Sequence, residues 1–286
     1  MMRRFLLVSV ALCAVLFVTA SHVSAAAPLA TRGLSISPLR LFVDGVAGNT
    51  TSGTVLVGNI TSQPMNIALS VEQFSVADYT YDYRFSQPKE NWITLDPATV
   101  TIAAGKTQTV EYHLAVPEHA APGGHYFTIF ASTSLDAERE ERVATVLYVT
   151  VAGELVRSST VSHESIPTFV FGGDIRFSFD VKNTGNTHYF MYTSGKLNGL
   201  SAQPPSSEVA HILLPQTTRT ITGSISAPVL PGVYAASYGY RTEDGQHINR
   251  SALIVYIPLW FWPLFAGMIW IGVVLLKRHK HMRLGK

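Results

Sequence analysis

The sequence has little cysteine and little charge, and both shortages exclude classes of protein. Among 286 residues there is one cysteine, 14% are charged, 47% are hydrophobic, and the formal net charge is +2. So apolar a composition with so few charges excludes a disordered chain. A charge near zero gives no reason to expect a nucleic-acid partner. A single cysteine excludes both a disulfide-stapled scaffold and a zinc cluster built from cysteines.

Catalytic motifs are also missing. The chain contains no nucleophile elbow, phosphate-binding loop, zinc-protease helix motif or dinucleotide-binding motif. The nearest histidine pair in the central part is His119 and His125, with Glu118 beside the first. These side chains are zinc ligands in type, but the residues between them read as a turn and no third ligand is evident. We therefore predict no enzymatic activity, no metal site and no cofactor.

The N-terminus has the parts of a secretory signal. Arg3 and Arg4 precede an apolar run, and small residues end at Ala25. This order of basic, apolar and small residues is typical of a cleaved signal peptide, which we assign to residues 1–25. An uncleaved anchor is the alternative. If Ala25 is the cleavage site, the lone Cys13 is removed with the signal.

The C-terminus predicts a membrane span. Residues 258–276 carry no charge and are long enough, as a helix, to cross a bilayer of roughly 30 Å. Trp260 and Trp262 suit the outer membrane interface, and Lys277 and Arg278 suit the inner one. We expect a single-pass protein of the cell membrane, with its N-terminus outside the cytoplasm. Residues 277–286 would form a basic cytoplasmic tail, and membrane lipid would surround the helix.

The central part of the chain reads as β structure. Residues 26–256 hold 14 basic and 19 acidic residues, a net charge of −5. Short runs rich in β-branched and aromatic residues alternate with turn residues, which is typical of β-sandwiches. A strand that runs into an asparagine turn occurs at Asn59 and again at Asn183. We therefore expect an all-β fold, with two tandem Ig-like β-sandwiches at 32–153 and 154–256 plus one C-terminal transmembrane helix.

The candidate binding residues are aromatic. Tyr79, Tyr81, Tyr83 and Phe85 alternate with polar residues, so a strand would place all four on one face. That face is either part of a core or a platform for sugars or a partner strand. Trp92 follows closely and either joins the platform or lies in a core.

A charged stretch interrupts the second half of the first predicted sandwich. Residues 135–142 are short and rich in acidic and basic side chains. We predict a hairpin tip there, which serves either as a solvated loop or as a loop for docking a partner.

The order of motifs resembles a known family. Ile36-Ser37-Pro38, a strand ending at Asn59, Trp92-Ile93, Val116-Pro117 and Gly123-Gly124 follow one another in the first half. With a signal, two sandwiches and a membrane helix, the chain resembles the WxL-interacting surface proteins of Gram-positive bacteria. The resemblance implies that one domain binds peptidoglycan and the other binds WxL proteins or host ligands. It implies no particular binding residue.

Two functions follow from these expectations. The first is a membrane-anchored bacterial cell-surface binding protein, active in adhesion, whose Ig-like domains contact the cell wall or other surface proteins. The alternative is a PapD-like assembly chaperone or scaffold, which binds exported subunits by β-strand augmentation. A long unprotected edge strand in the first sandwich would favour the alternative, and paired or charged edges would count against it.

Overall fold

The structure is a computed structural model, which describes residues 33–134, 140–199 and 204–284, with side chains described as far as Leu276. The predicted signal peptide and most of the predicted charged hairpin tip therefore lie outside the described residues. The described chain is almost wholly β structure, so the predicted β class is confirmed. The first ten strands are β1 (Leu34–Ser37), β2 (Arg40–Gly45), β3 (Thr50–Asn59), β4 (Met65–Val76), β5 (Tyr83–Ser86), β6 (Ile93–Asp96), β7 (Thr99–Ile102), β8 (Thr107–Ala115), β9 (Gly123–Ser134) and β10 (Glu140–Val151).

The remaining elements are eight strands and one helix. They are β11 (Ser159–Ser165), β12 (Phe169–Val170), β13 (Ile175–Asn183), β14 (Tyr189–Asn198), β15 (Val209–Leu213), β16 (Thr218–Ile225), β17 (Gly232–Thr242), β18 (His247–Tyr256) and α1 (Phe261–Leu284).

The first sandwich consists of two sheets around one apolar core. The smaller sheet has the order β1-β3-β8-β6, and the larger has the order β2-β10-β9-β4-β5, with β7 also beside β4. Alternate residues of β4 and β8 are buried, because successive side chains of a strand point to opposite faces. Val55, Val110, Leu114, Ile129 and Leu147 are fully buried between the sheets.

The second sandwich is built in the same way. A sheet of order β11-β13-β16 packs against one of order β12-β18-β17-β14-β15. In each sandwich an early strand pairs in parallel with the last strand, β2 with β10 and β12 with β18. The core contains Phe177, Phe179, Met191, Tyr238 and Ile254.

The two predicted asparagine turns occupy equivalent places in the two sandwiches. The Asn59 amide donates to the carbonyls of Gln63 and Ile102, at 2.7 and 2.9 Å. The Asn183 amide likewise donates to the carbonyls of Thr187 and Leu213, at 2.9 and 3.1 Å. Each side chain is buried and satisfies backbone groups that the strands leave unpaired.

The predicted transmembrane helix at 258–276 is wrong, and with it the predicted membrane localisation. In the described part of the chain, no helix is long and apolar enough to cross a membrane. The chain turns at Pro258, whose carbonyl accepts from the Phe261 N–H at 3.0 Å, and α1 begins only at Phe261. The uncharged part of α1 up to Leu276 is about 24 Å long, short of a bilayer core of roughly 30 Å.

Without a membrane span, the assignment of Trp260, Trp262, Lys277 and Arg278 to the membrane interface is unsupported. Trp260 and Trp262 are each 45% exposed. The ring of Trp262 lies 6.2 Å from that of Phe171, at the edge of the second sandwich. The side chains of Lys277 and Arg278 lie outside the described residues.

Candidate functional site

The predicted aromatic stripe is divided between two environments. Tyr79 and Tyr81 lie before β5, in a turn where their φ angles are 66° and 63°. Left-handed backbone is rare for aromatic residues and ends the strand alternation. Only Tyr83 and Phe85 share a strand face, on β5. The structure therefore does not bring the four rings to one surface.

The turn before β5 ties the first sandwich to the second. We call Ala77–Asp82 the strap. Tyr79 forms a parallel bridge with β16: its N–H donates to the Thr218 carbonyl at 2.7 Å, and its carbonyl accepts from the Thr220 N–H at 3.2 Å. The Asp78 carboxylate accepts from the Thr218 N–H at 2.7 Å. These bonds join residues about 140 positions apart in the chain.

The side chain of Tyr81 fills the space beneath the strap backbone. The guanidinium of Arg219 lies 3.9 Å from the centre of its ring, a cation–π contact. The same guanidinium donates to the Ile212 carbonyl at 2.6 Å, which fixes its position. Burial raises the pKa of the Tyr81 hydroxyl, whose oxygen has no hydrogen-bond partner among the described residues. Tyr81 therefore has a packing role between the sandwiches.

A third apolar cluster lies around Tyr81, between the two sandwiches. Phe74 and Tyr148 of the first sandwich pack there with Ile212 and Leu214 of the second. The buried His188 ring lies 5.2 Å from that of Tyr148. Desolvation lowers the pKa of His188 to about 4, and the charge of Arg157 contributes to the shift. The imidazole is thus neutral at physiological pH.

The predicted platform residue Trp92 belongs to the first core. It is 6% exposed, and its ring lies 5.5 Å from that of Phe127. Its indole N–H donates to the Glu90 carboxylate at 3.2 Å. The side chain is therefore not available as part of an exposed platform.

The exposed remainder of the stripe is β5, which we call the aromatic edge. Tyr83 and Phe85 are 37% and 42% exposed. Their rings are nearly parallel, with an interplanar angle of 3° and centres 6.1 Å apart. The ring of Phe85 meets the buried Phe130 edge-on at 5.0 Å. The rings of Tyr83 and Phe85 thus form a small apolar surface, and the buried Phe130 packs beneath it.

The backbone of the aromatic edge is open on one side. β5 is the last strand of its sheet and pairs only with β4, where Arg84 opposes Ser75. The Ala77 N–H donates to the Asp82 carbonyl at 2.9 Å, and hydrogen-bonded pairs alternate along an antiparallel ladder. The N–H and C=O groups of Arg84 therefore face β4, while those of Tyr83 and Phe85 face outward. No described residue pairs with these outward groups.

The charged residues near the aromatic edge are largely paired. Arg142 lies over the Phe130 ring, 3.2 Å from its centre, and forms an ion pair with Glu72. This arrangement covers the sheet beside Phe85 and neutralises the charge of Arg142. Arg84 on β5 itself forms no ion pair within the described part of the chain.

The two histidines of the candidate pair, His119 and His125, have different partners. The imidazole of His119 contacts the Glu90 carboxylate at 3.2 Å, whereas His125 contacts the Ala121 carbonyl at 2.9 Å. Among the described residues, no group of three histidine, cysteine or acidic side chains is placed to hold a metal ion.

Sequence reasoning found Tyr83 but missed what makes the aromatic edge a candidate site. The open backbone depends on which strand ends the sheet, and Phe130 lies far away in the sequence. The signal available was Phe85, the last member of the stripe, followed by Pro88, which cannot extend a paired strand.

Comparisons with known proteins found no matching protein-family model and no matching curated protein sequence. Solved structures with remote likeness exist. One is a chaperone–tip adhesin complex of CFA/I fimbriae, with 10% identity and a TM-score of 0.43, covering 77% of this chain and 98% of that one. A second is the class 5 fimbriae chaperone CfaA, with 11% identity and a TM-score of 0.41, covering 78% and 99%.

A third likeness is the CsuC–CsuE chaperone–tip adhesion subunit complex from Acinetobacter baumannii. It has 12% identity and a TM-score of 0.38, covering 66% of this chain and 90% of that one. With TM-scores below 0.5, these likenesses assign no function to the chain.

Proposed function

We propose that the chain is a non-catalytic binding protein that takes up an extended segment of an exported or surface protein by adding it to β5. One observation carries the proposal. Within the described residues the outward backbone groups of Tyr83 and Phe85 have no partner, and the same two residues expose their rings. In strand addition, main-chain hydrogen bonds supply affinity and contacts to alternate side chains supply specificity. The aromatic edge offers both on one short strand.

The backbone edge favours a protein partner over a glycan. A polysaccharide would use the rings of Tyr83 and Phe85 but has no repeating N–H and C=O groups to pair with the strand. An extended peptide uses the rings and the backbone together. The peptidoglycan partner expected from the sequence would use only part of this surface.

The strap prepares the aromatic edge for binding. Its bonds to β16 fix the turn immediately before Tyr83, and the Tyr83 hydroxyl lies 3.2 Å from that of Tyr148. A strand held in its paired conformation loses little conformational entropy when a partner arrives, which increases affinity. β5 is only 4 residues long, so the ring contacts must add to a few hydrogen bonds.

Amide hydrogen exchange with a selected peptide tests the proposal. Peptides from a displayed random library would be selected on the full chain and then bound to it in solution. We expect them to slow the exchange of the Tyr83 and Phe85 amides. The Arg84 amide already bonds to β4 and should change little, which makes it an internal control.

Two variants of Phe85 distinguish the contribution of its backbone N–H to peptide binding from that of its aromatic ring. Phe85→Leu keeps the outward N–H, whereas Phe85→Pro removes it without touching the pairing with β4. We expect Phe85→Pro to bind selected peptides about fivefold more weakly than Phe85→Leu, since one hydrogen bond contributes roughly 1 kcal/mol. Equal binding by the two variants would contradict strand addition.

Purified peptidoglycan provides the competing outcome. Retention of the chain on peptidoglycan that is lost in Phe85→Leu, with no slowing of the Tyr83 and Phe85 amides, would also contradict the proposal. That result would mean that the two rings bind a glycan.

A further inference from the structure

The second sandwich carries a groove that the proposed function does not use. It has a volume of about 490 Å³ and crosses the outer face of the sheet formed by β11, β13 and β16. Its polar lining comes from one cationic side chain, Arg176, and four hydroxyl side chains, Ser165, Ser178, Thr222 and Ser224. We call this groove the hydroxyl trough.

The strand register brings these side chains together. Arg176 is directly opposite Ser224, and Ser178 is directly opposite Thr222, in the pairing of β13 with β16. Ser178 is also opposite Ser165 in the pairing of β11 with β13. Direct cross-strand partners have Cβ atoms about 4.5–5.5 Å apart. One guanidinium and four hydroxyl groups therefore share one face within reach of a single small ligand.

The charge of Arg176 is not compensated by the described residues. It forms no ion pair there, although three carboxylates lie on neighbouring strand positions. Asp174 accepts from the Ala227 N–H at 3.1 Å, and Asp180 accepts from the Thr220 hydroxyl at 2.6 Å. Glu164 is held by Arg250 at 2.9 Å. Each acid is engaged elsewhere and none of them lines the trough, where Arg176 is the one charged residue of the described lining.

The four hydroxyl groups of the trough are likewise available to bind a ligand. None of the four side-chain oxygens forms a hydrogen bond with another described residue. The wall beside them is nevertheless fixed, because the Thr222 carbonyl accepts from the Thr193 hydroxyl at 3.0 Å and lies 2.9 Å from the His211 imidazole. The donors are thus presented from a rigid sheet rather than from a loop.

We propose that the hydroxyl trough binds an oxyanion, a carboxylate or phosphoryl group, carried by a small hydroxylated ligand. A guanidinium matches the two oxygens of either group with two parallel hydrogen bonds. Serine and threonine hydroxyls donate to the remaining oxygens and accept from ligand hydroxyls. All of the polar groups of the trough lie on β11, β13 and β16, so the site is independent of strand addition to β5.

Titration of the full chain with simple anions tests the proposal. The probes are inorganic phosphate, glucuronate and the neutral sugar glucose, at constant ionic strength, followed through the backbone amide resonances of Ser178, Thr222 and Ser224. We expect saturable shifts with phosphate or glucuronate and none with glucose. Stronger binding of phosphate assigns a phosphoryl group, and stronger binding of glucuronate assigns a carboxylate.

Variants on one strand separate the site from general charge. We expect Arg176→Gln to weaken anion binding at least tenfold and Arg176→Lys to weaken it less, because lysine keeps the charge without the planar fork. Lys182→Gln removes a cation from the other end of β13 and should leave binding unchanged. Equal losses in Arg176→Gln and Lys182→Gln, or no saturable shift with either anion, would overturn the proposal.

Discussion

Asn59 and Asn183 show how much one buried side chain contributes at the residue scale. Each amide donates to two backbone carbonyls at the end of a strand, and each side-chain carbonyl accepts an N–H two residues later. The short side chain of asparagine suits this geometry, and alanine offers no replacement for any of the bonds. These two residues therefore fix the same turn in both sandwiches.

Replacement of Asn59 by alanine should destabilise the first sandwich by about 2–3 kcal/mol, because two backbone carbonyls lose their donor and one of them is buried. Urea-induced unfolding measures the change. Asn66→Ala is the matched control, since among the described residues the Asn66 side chain bonds to the exposed Thr101 hydroxyl alone. We expect that control to cost less than about 0.5 kcal/mol. A similar cost for both variants would refute this role of Asn59.

The asparagine turns were predictable because their geometry is local. The strand before each asparagine and the turn after it lie within a few residues, and asparagine in such a place has a definite conformational preference. Trp92 was not predictable to the same degree. A tryptophan that follows turn residues is compatible with a core or with a surface, and its burial depends on Phe127, which belongs to a distant strand.

The strap is the element whose conformation the sequence did not reveal. Alternation of tyrosines predicts a strand, but Tyr79 and Tyr81 take left-handed angles in a turn whose Tyr79 backbone pairs with β16. That partner lies in the other sandwich, so no local pattern encodes it. Tertiary pairing overrode the local preference, and the predicted binding stripe was reduced to Tyr83 and Phe85 on β5.

Two substitutions of Tyr79 test the strap as an element. Proline cannot adopt a φ of 66° and lacks the N–H that donates to Thr218, so Tyr79→Pro should cost at least about 2 kcal/mol. Glycine adopts this angle readily and keeps the N–H, so Tyr79→Gly should change stability by less than about 1 kcal/mol. Chemical denaturation of the full chain measures both. Equal losses would mean that the bridge to β16 contributes little.

The edge strands of the first sandwich bear on the two functions that the sequence left open. A long edge strand in the first sandwich, which would have favoured the chaperone alternative, is absent from the described chain, where β5 has 4 residues and β2 has 6. Neither edge was visible from the sequence, because strand order depends on pairings between distant segments. The exposed rings compensate for the short length of β5, and they were partly predicted.

At the scale of the whole molecule, the two sandwiches are joined by a buried interface that contains the titratable imidazole of His188. His188 lies among the rings of Phe42, Tyr126 and Tyr148, and its Nδ1 is 3.3 Å from the Tyr126 hydroxyl. The charges that act on it are those of Arg157, which lowers its pKa, and Asp44, which raises it. Burial, the largest effect, acts with Arg157 and outweighs Asp44, so protonation is unfavourable while the interface is closed.

The molecule should lose stability in mild acid through His188. Its pKa is about 4 in the folded chain, whereas an unperturbed histidine has a pKa of 6.5, so the unfolded chain binds the proton first as the pH falls. The stabilisation is complete above about pH 6.5 and declines until about pH 4, by a total of about 3 kcal/mol.

Denaturation at a series of pH values measures this effect as the difference between the native chain and His188→Gln. The subtraction removes the contribution of other titrating groups, including His211, whose pKa burial also lowers. An identical pH dependence in both proteins would contradict the assignment to His188.

The separation of the strap from its partner strand has a consequence for synthesis. The strap and Phe74 belong to the first half of the chain, but the residues that cover them come from β15 and β16. At roughly 5–20 residues per second, β16 emerges about 3–14 s after the first sandwich is complete. During that interval the nascent first sandwich displays Phe74, Tyr81 and Tyr148 to its surroundings. The apolar surface of the first sandwich is therefore exposed during synthesis until the second sandwich covers it.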